Sequence, residues 1–110
     1  MKDFENTIDL IICEYEHWLK MCEITNNDYD MGYFGARAII CENVIGRCKD
    51  KDIQNISELH EYLLSKFEEN KGYQKEYVAE NQCDSEKIQG YIDEDFFLLN
   101  MINQGPFNIN

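Results

Sequence analysis

Apolar residues recur along this chain at helical spacing, broken by short polar connectors. Phe4, Ile8, Ile11, Tyr15, Trp18, Leu19 and Cys22 fall on one side of a helical projection, with Ile12 on its shoulder, which predicts a helix over residues 3–23. Thr25, Asn26, Asn27 and Asp28 follow as a connector of helix-capping residue types. The next stretch, Met31 to Cys48, organises the rest. Phe34, Ala38, Cys41, Ile45 and Cys48 recur at steps of four, three, four and three and form one apolar stripe of a helix over 29–48. Roughly opposite runs a stripe of small residues, Gly32, Gly35, Ala36, Ile39, Asn43 and Gly46. Each glycine inside a helix costs on the order of 1 kcal/mol relative to alanine, so three of them point to a close backbone approach. The stripe is expected to be a helix–helix seam, its partner being either another helix of this chain or a second copy in a homodimer.

After a charged loop, Asn55, Ile56, Ser57 and Glu58 fit a capping box with Asn in place of the usual Ser or Thr. They open a helix over 56–70 that turns Ile56, Leu59, Leu63 and Phe67 inward, and Gly72 marks its expected stop. A weaker segment over 73–81 carries Tyr73, Tyr77 and Val78, either as its own helix or as an extension of the third past Gly72. The last helix, over 85–103, presents Ile88, Tyr91, Ile92, Leu99 and Ile102 on one side, with Asp95 among them. An unpaired carboxylate is costly in a core. Either Asp95 has a partner, or the helix breaks at Asp93-Glu94-Asp95 and restarts, or a short strand runs from Phe96 to Leu99. The expected architecture is all-α: one domain over residues 1–110, a compact bundle of four or five helices around the central glycine-containing helix.

Charge changes the picture more than composition does. The chain carries 22 acids against 10 bases, a formal net charge of −12. Residues 1–30 hold eight acids and two bases, residues 31–67 five of each, and residues 68–110 nine acids and three bases. Acid therefore flanks a neutral middle. Such a field repels nucleic acid and anionic membranes and attracts cationic protein surfaces. The chain has no apolar run of membrane-spanning length, and its first residues lack the basic-then-apolar order of a signal peptide, so a cytoplasmic location is expected. Five cysteines, without a CxxC pair, fit neither a disulfide framework nor a ribbon-type zinc site.

Candidate chemistry is sparse. Glu14 and His17 form a single ExxH, an element that occurs twice in di-iron carboxylate bundles. A second copy is missing, and His17 points away from the Trp18 stripe. A nucleophilic cysteine would need a histidine partner and an electropositive setting, and the chain has two histidines in a strongly negative background. No glycine-rich phosphate loop occurs. No catalytic residue, metal site or cofactor is expected.

The acidic flanks carry the functional expectation. Glu5, Asp9, Glu16 and Glu23 share one flank of the first helix, a row that a rise of about 1.5 Å per residue stretches over about 27 Å. B-DNA carries one charge per about 1.7 Å of axis, so a competitor needs dense acid over such a length. Asp93, Glu94 and Asp95 beside Phe96 form a second cluster, acid next to an aromatic anchor, as protein interfaces use. These residues are expected to bind a basic protein, a nuclease or another nucleic-acid-handling enzyme, in a non-enzymatic inhibitor that imitates nucleic acid. Size, charge and composition are in character with small phage-encoded anti-defence proteins, anti-CRISPR inhibitors among them, and with acidic immunity proteins of nuclease toxins. No motif ties the chain to either.

Overall fold

The computed structural model describes residues 4–76 and 82–104. Four helices account for nearly all of them: α1 (Phe4–Ile24), α2 (Asp28–Lys49), α3 (Ile56–Glu76) and α4 (Gln82–Gln104). The fold is all-α, and no strand occurs among the described residues. α2 packs against both α1 and α4, and α3 packs chiefly against α4. Two helices thus share the middle of the assembly. No described helix is long and apolar enough to cross a membrane.

The connectors work as their residue types require. Asn27 caps α2, its side-chain oxygen accepting from the backbone N–H groups of Tyr29 at 2.8 Å and Asp30 at 3.1 Å. Asp28 and Asp30 in the first turn and Arg47 and Lys49 in the last complement the helix dipole. Beyond α2 the chain reverses at Lys51, which takes the left-handed conformation (φ 66°) that a helix terminus often needs. Asn55 caps α3 by accepting from the Glu58 N–H at 2.9 Å, and Glu58 reaches back to the Gln54 N–H at 2.7 Å, one residue earlier than a standard capping box.

The core joins all four helices: Ile11 from α1, Ile40, Cys41 and Val44 from α2, Leu59 and Leu63 from α3, Leu98, Leu99 and Ile102 from α4, and Ile53 from the loop. Several expected core positions sit at its edge instead. Leu19 of α1 is exposed and Phe67 of α3 half-buried, because these outer helices cover only one neighbour well, and Phe34 and Ile45 of α2 are half-buried as well.

Two expectations about helix ends change. α3 does not stop at Gly72 but runs to Glu76, held to α4 by Gln74, whose amide donates to Gln89 at 3.0 Å. The segment expected over 73–81 falls partly outside the described residues. α4 starts at Gln82 and continues unbroken through Asp93-Glu94-Asp95, because each of these acids accepts a hydrogen bond from a neighbouring helix. A strand over Phe96–Leu99 is thereby replaced by helix.

A close backbone approach lies at a glycine of α4. A Cβ on Gly90 would lie 2.6 Å from the Tyr33 carbonyl oxygen and 2.8 Å from the Ala36 Cβ. Within the small-residue stripe of α2, Ala36 is buried at this contact. The others are placed differently. Gly35 has only the Cys22 sulfur near it, at 3.8 Å from an added Cβ, and Gly46 faces open space. Ile39 and Asn43 are exposed, and Gly32 is half-buried.

Candidate functional site

The first-helix acids stand free on the surface. Glu5, Asp9, Glu16 and Glu23 are all exposed, and none of the ion pairs among the described residues uses them. Beside the row, Leu10, Cys13, Glu14 and His17 of α1 meet Phe97 and Met101 of α4 in a shallow groove. At about 100° per residue this groove face lies next to the acid row on the α1 surface. Phe96 and Phe97 are exposed, Phe96 leaning on Phe67 with ring centroids 5.8 Å apart.

The second acidic cluster is not a surface feature, which corrects the expectation for Glu94 and Asp95. Both are completely buried. Asp93 is half-buried, accepting from the Tyr33 hydroxyl at 2.5 Å and from the Gln89 amide at 2.8 Å. Of the four residues, only Phe96 keeps an exposed side chain.

Glu94 belongs to a polar network across α1, α2 and α4. Tyr33, Arg37 and Cys41 recur every four residues and line one edge of α2, while Glu14 and Trp18 are one turn apart on α1. The Arg37 Nε donates to Glu94 Oε1 at 2.7 Å and its Nη1 to the Tyr33 hydroxyl at 3.0 Å. Its guanidinium carbon lies 4.4 Å from the centre of the Trp18 ring, a cation–π contact. The Trp18 indole donates to Glu14 Oε1 at 3.0 Å, and the Cys41 thiol donates to Glu94 Oε2 at 3.2 Å.

Burial pushes the Glu94 carboxyl up to about 7, and its hydrogen bond to the Glu14 carboxyl adds to this, against the opposing pull of Arg37 and Cys41. Burial and the Glu94 charge raise the Cys41 thiol far above its ordinary range. Burial and the bond to Asp93 raise the Tyr33 hydroxyl.

Donor atoms of Glu14, Cys41 and Glu94 lie within 4.8 Å of one another, a set that could in principle take a metal ion. Its chemistry does not fit one. Arg37 and the thiol proton already occupy the Glu94 oxygens, the thiol is far from ionising, and a guanidinium adjoins the set. His17 takes no part, being exposed with its ring edge-on to Trp18 at 4.6 Å. The network clamps three helices and offers no open face for a substrate at Glu94.

Arg37 is the residue whose role the periodicity did not reveal. The signal was present all the same, since Arg37 is the one charge between Met31 and Cys41. A lone charge in an apolar helical run calls for a buried counter-ion, and Glu94 is that ion. Compared with protein-family models, curated protein sequences and solved structures, the chain matches none of them.

Proposed function

We propose that this protein is a non-enzymatic acidic inhibitor that binds the cationic surface of a nucleic-acid-handling enzyme, in the manner of phage anti-defence proteins or nuclease immunity proteins. One observation carries the reading. Glu5, Asp9, Glu16 and Glu23 form an exposed row on an outer helix, and no ion pair within the described residues neutralises it. Lys20, one turn after Glu16, is the one Lys or Arg of α1 and offsets the row only in part. The adjoining groove at Leu10, Phe97 and Met101 supplies apolar anchoring beside the charge, the arrangement of a contact with a charged rim. Long-range attraction from such a row speeds encounter with a basic groove and falls with ionic strength.

The test is capture of partners from bacterial lysate by the tagged full chain at low and at high salt, with and without competing DNA. A nucleic-acid-binding enzyme should be retained at low salt and released by salt or DNA. Reversing charge at Glu5, Asp9, Glu16 and Glu23 should abolish capture while the helical circular dichroism stays unchanged. Equal capture by the reversed variant would remove the row from the function.

A further inference from the structure

Asp95 presents a different problem from Glu94. Its Oδ2 accepts from the Asn70 amide at 2.9 Å, but its Oδ1 is buried and has no hydrogen-bond partner. The residue is part of the lining of a cleft of about 660 Å³ bounded by α2, α3 and α4. Clefts of about 300–1,000 Å³ are the usual size of small-molecule sites, and one water molecule's share of liquid volume is only about 30 Å³. Tyr62 and Tyr91 contribute aromatic wall, and Glu42 and Asp50 add carboxylates at its edge.

The chain's own cations in the cleft lining, Arg47 and Lys66, both stand over the Tyr62 ring, and Lys66 acts on Asp95 only through its charge. Lys66 pairs with Glu69 at 3.2 Å and Arg47 with Asp52 at 3.7 Å, and neither forms an ion pair with Asp95. Matching those two pairs leaves Asp95, Glu42 and Asp50 as the surplus charge of the lining. A buried carboxylate oxygen without a donor is an unmet acceptor. Burial raises the Asp95 carboxyl to about 6, so above that pH a proton no longer satisfies it.

We propose that this cleft binds an alkylguanidinium cation, the group an arginine side chain carries, with its head on Asp95 and its stem along Tyr62 and Tyr91. Guanidinium suits the site better than ammonium because it is more weakly hydrated, loses its water at less cost and stacks on aromatic faces. The Tyr62 ring already accepts such a group, the Arg47 guanidinium carbon lying 5.2 Å from its centre. The α1 row plays no part in the site, so the inference goes beyond the inhibitor reading and stands or falls separately.

The experiment is a titration of the full chain at pH 7.5 with butylguanidinium, with N-acetyl-argininamide and with neutral butylurea. It is followed by backbone amide chemical shifts and by calorimetry. Butylguanidinium should saturate one site, shifting amides around Tyr62, Tyr91 and Asp95, with butylurea at least tenfold weaker. Asp95→Asn should lower the affinity at least tenfold with an unchanged circular dichroism spectrum, and Tyr62→Leu should weaken it several-fold. Charge reversal of the α1 row should leave it unchanged. Binding of N-acetyl-argininamide as tight as butylguanidinium identifies a partner's side chain as the source of the group, and its rejection identifies a free small molecule. Absence of saturation by butylguanidinium at millimolar concentration overturns the proposal. So does equal binding of butylurea, or undiminished affinity in folded Asp95→Asn, either of which would mean that Oδ1 is met by water only.

Discussion

Gly90 of α4 meets Tyr33 of α2 so closely that a Cβ added to it would lie 2.6 Å from the Tyr33 carbonyl oxygen, with Ala36 equally in the way at 2.8 Å. Helix propensity alone would favour Gly90→Ala by about 1 kcal/mol. The seam outweighs it, because the obstacles are backbone and a short side chain that cannot swing aside. Overpacking of this kind costs about 1–3 kcal/mol beyond any propensity gain. Gly72 offers the control, lying inside α3 with nothing within 4 Å of an added Cβ. Urea unfolding should show Gly90→Ala less stable than the parent and Gly72→Ala more stable by about 0.5–1 kcal/mol. The reverse order would mean that α2 and α4 do not cross at Gly90.

Glu94 and Asp95 give the protein an unusual pH response. Both are carboxyls whose folded-state values are raised, Glu94 from 4.5 to about 7 and Asp95 from 3.8 to about 6. Between the ordinary and the raised values the folded chain holds protons that the unfolded chain has released. Their contribution to stability is therefore complete below about pH 4 and is lost as pH rises through 6 and 7. For Glu94 the loss is on the order of 3 kcal/mol, at about 1.4 kcal/mol per pH unit. Denaturation curves of the parent and Glu94→Gln, collected from pH 4 to 8.5, should lie closest at pH 4, diverge as pH rises to about 7 and keep that separation above it, with the Gln variant the more stable. Parallel curves across that range would show that Glu94 is not held protonated.

Arg37 makes the complementary case. Its guanidinium bonds Glu94, touches the Tyr33 hydroxyl and lies on Trp18, so removal strips the partner from a buried carboxylate. Breaking such a pair from one side costs about 3–5 kcal/mol. Arg37→Met should approach that loss at pH 8, where Glu94 is ionised, and lose much less at pH 5, where a proton replaces the guanidinium. Arg37→Lys should recover only part, since an ammonium supplies neither the fork nor the flat face that Tyr33 and Trp18 use. Thermal melts at both pH values test this, and a loss independent of pH would make Arg37 a packing residue only.

What could be read from the sequence was what periodicity and local capping control. The Ile11 and Trp18 stripe, the Asn27 and Asn55 caps and the Leu59 and Leu63 pair follow from spacing within one element. The need of Asp95 for a partner was also legible, because its angular position put it among Ile88, Ile92 and Leu99. The identity of that partner was not. Asn70 lies 25 residues away on a helix whose length past Gly72 depends on contacts with α4. Glu94 was misplaced for the same reason. In Asp93-Glu94-Asp95 the three acids look alike as a sequence, and only the crossing of α2 over α4 decides which one faces Arg37. Gly90 escaped notice because a single glycine in a helix says nothing about its neighbour, while the three in α2 drew attention to a stripe that only Ala36 joins to the close seam.

The cysteines provide a probe of the α2–α4 contact that needs no mutation. Cys13 is exposed on α1, whereas Cys41 is fully buried, its thiol raised by burial and by the Glu94 charge. Alkylation proceeds through the thiolate and needs access, so both effects protect Cys41 in the same direction. Cys22 and Cys48, half-buried with thiols raised chiefly by burial, should fall between. Iodoacetamide at pH 7.5, quenched over time and read by peptide mass spectrometry, should modify Cys13 at least tenfold faster than Cys41. In urea the two rates should become comparable. Because Cys41 can react only when α4 leaves α2, its native rate measures the free energy of that opening. Mutations at the seam should then order themselves by it. Gly90→Ala and Arg37→Met should speed Cys41 labelling, Gly72→Ala should not, and none of them should change Cys13. A Cys41 that labels as fast as Cys13 in the folded protein would mean that the Arg37–Glu94 network is open to solvent and does not hold the helices together.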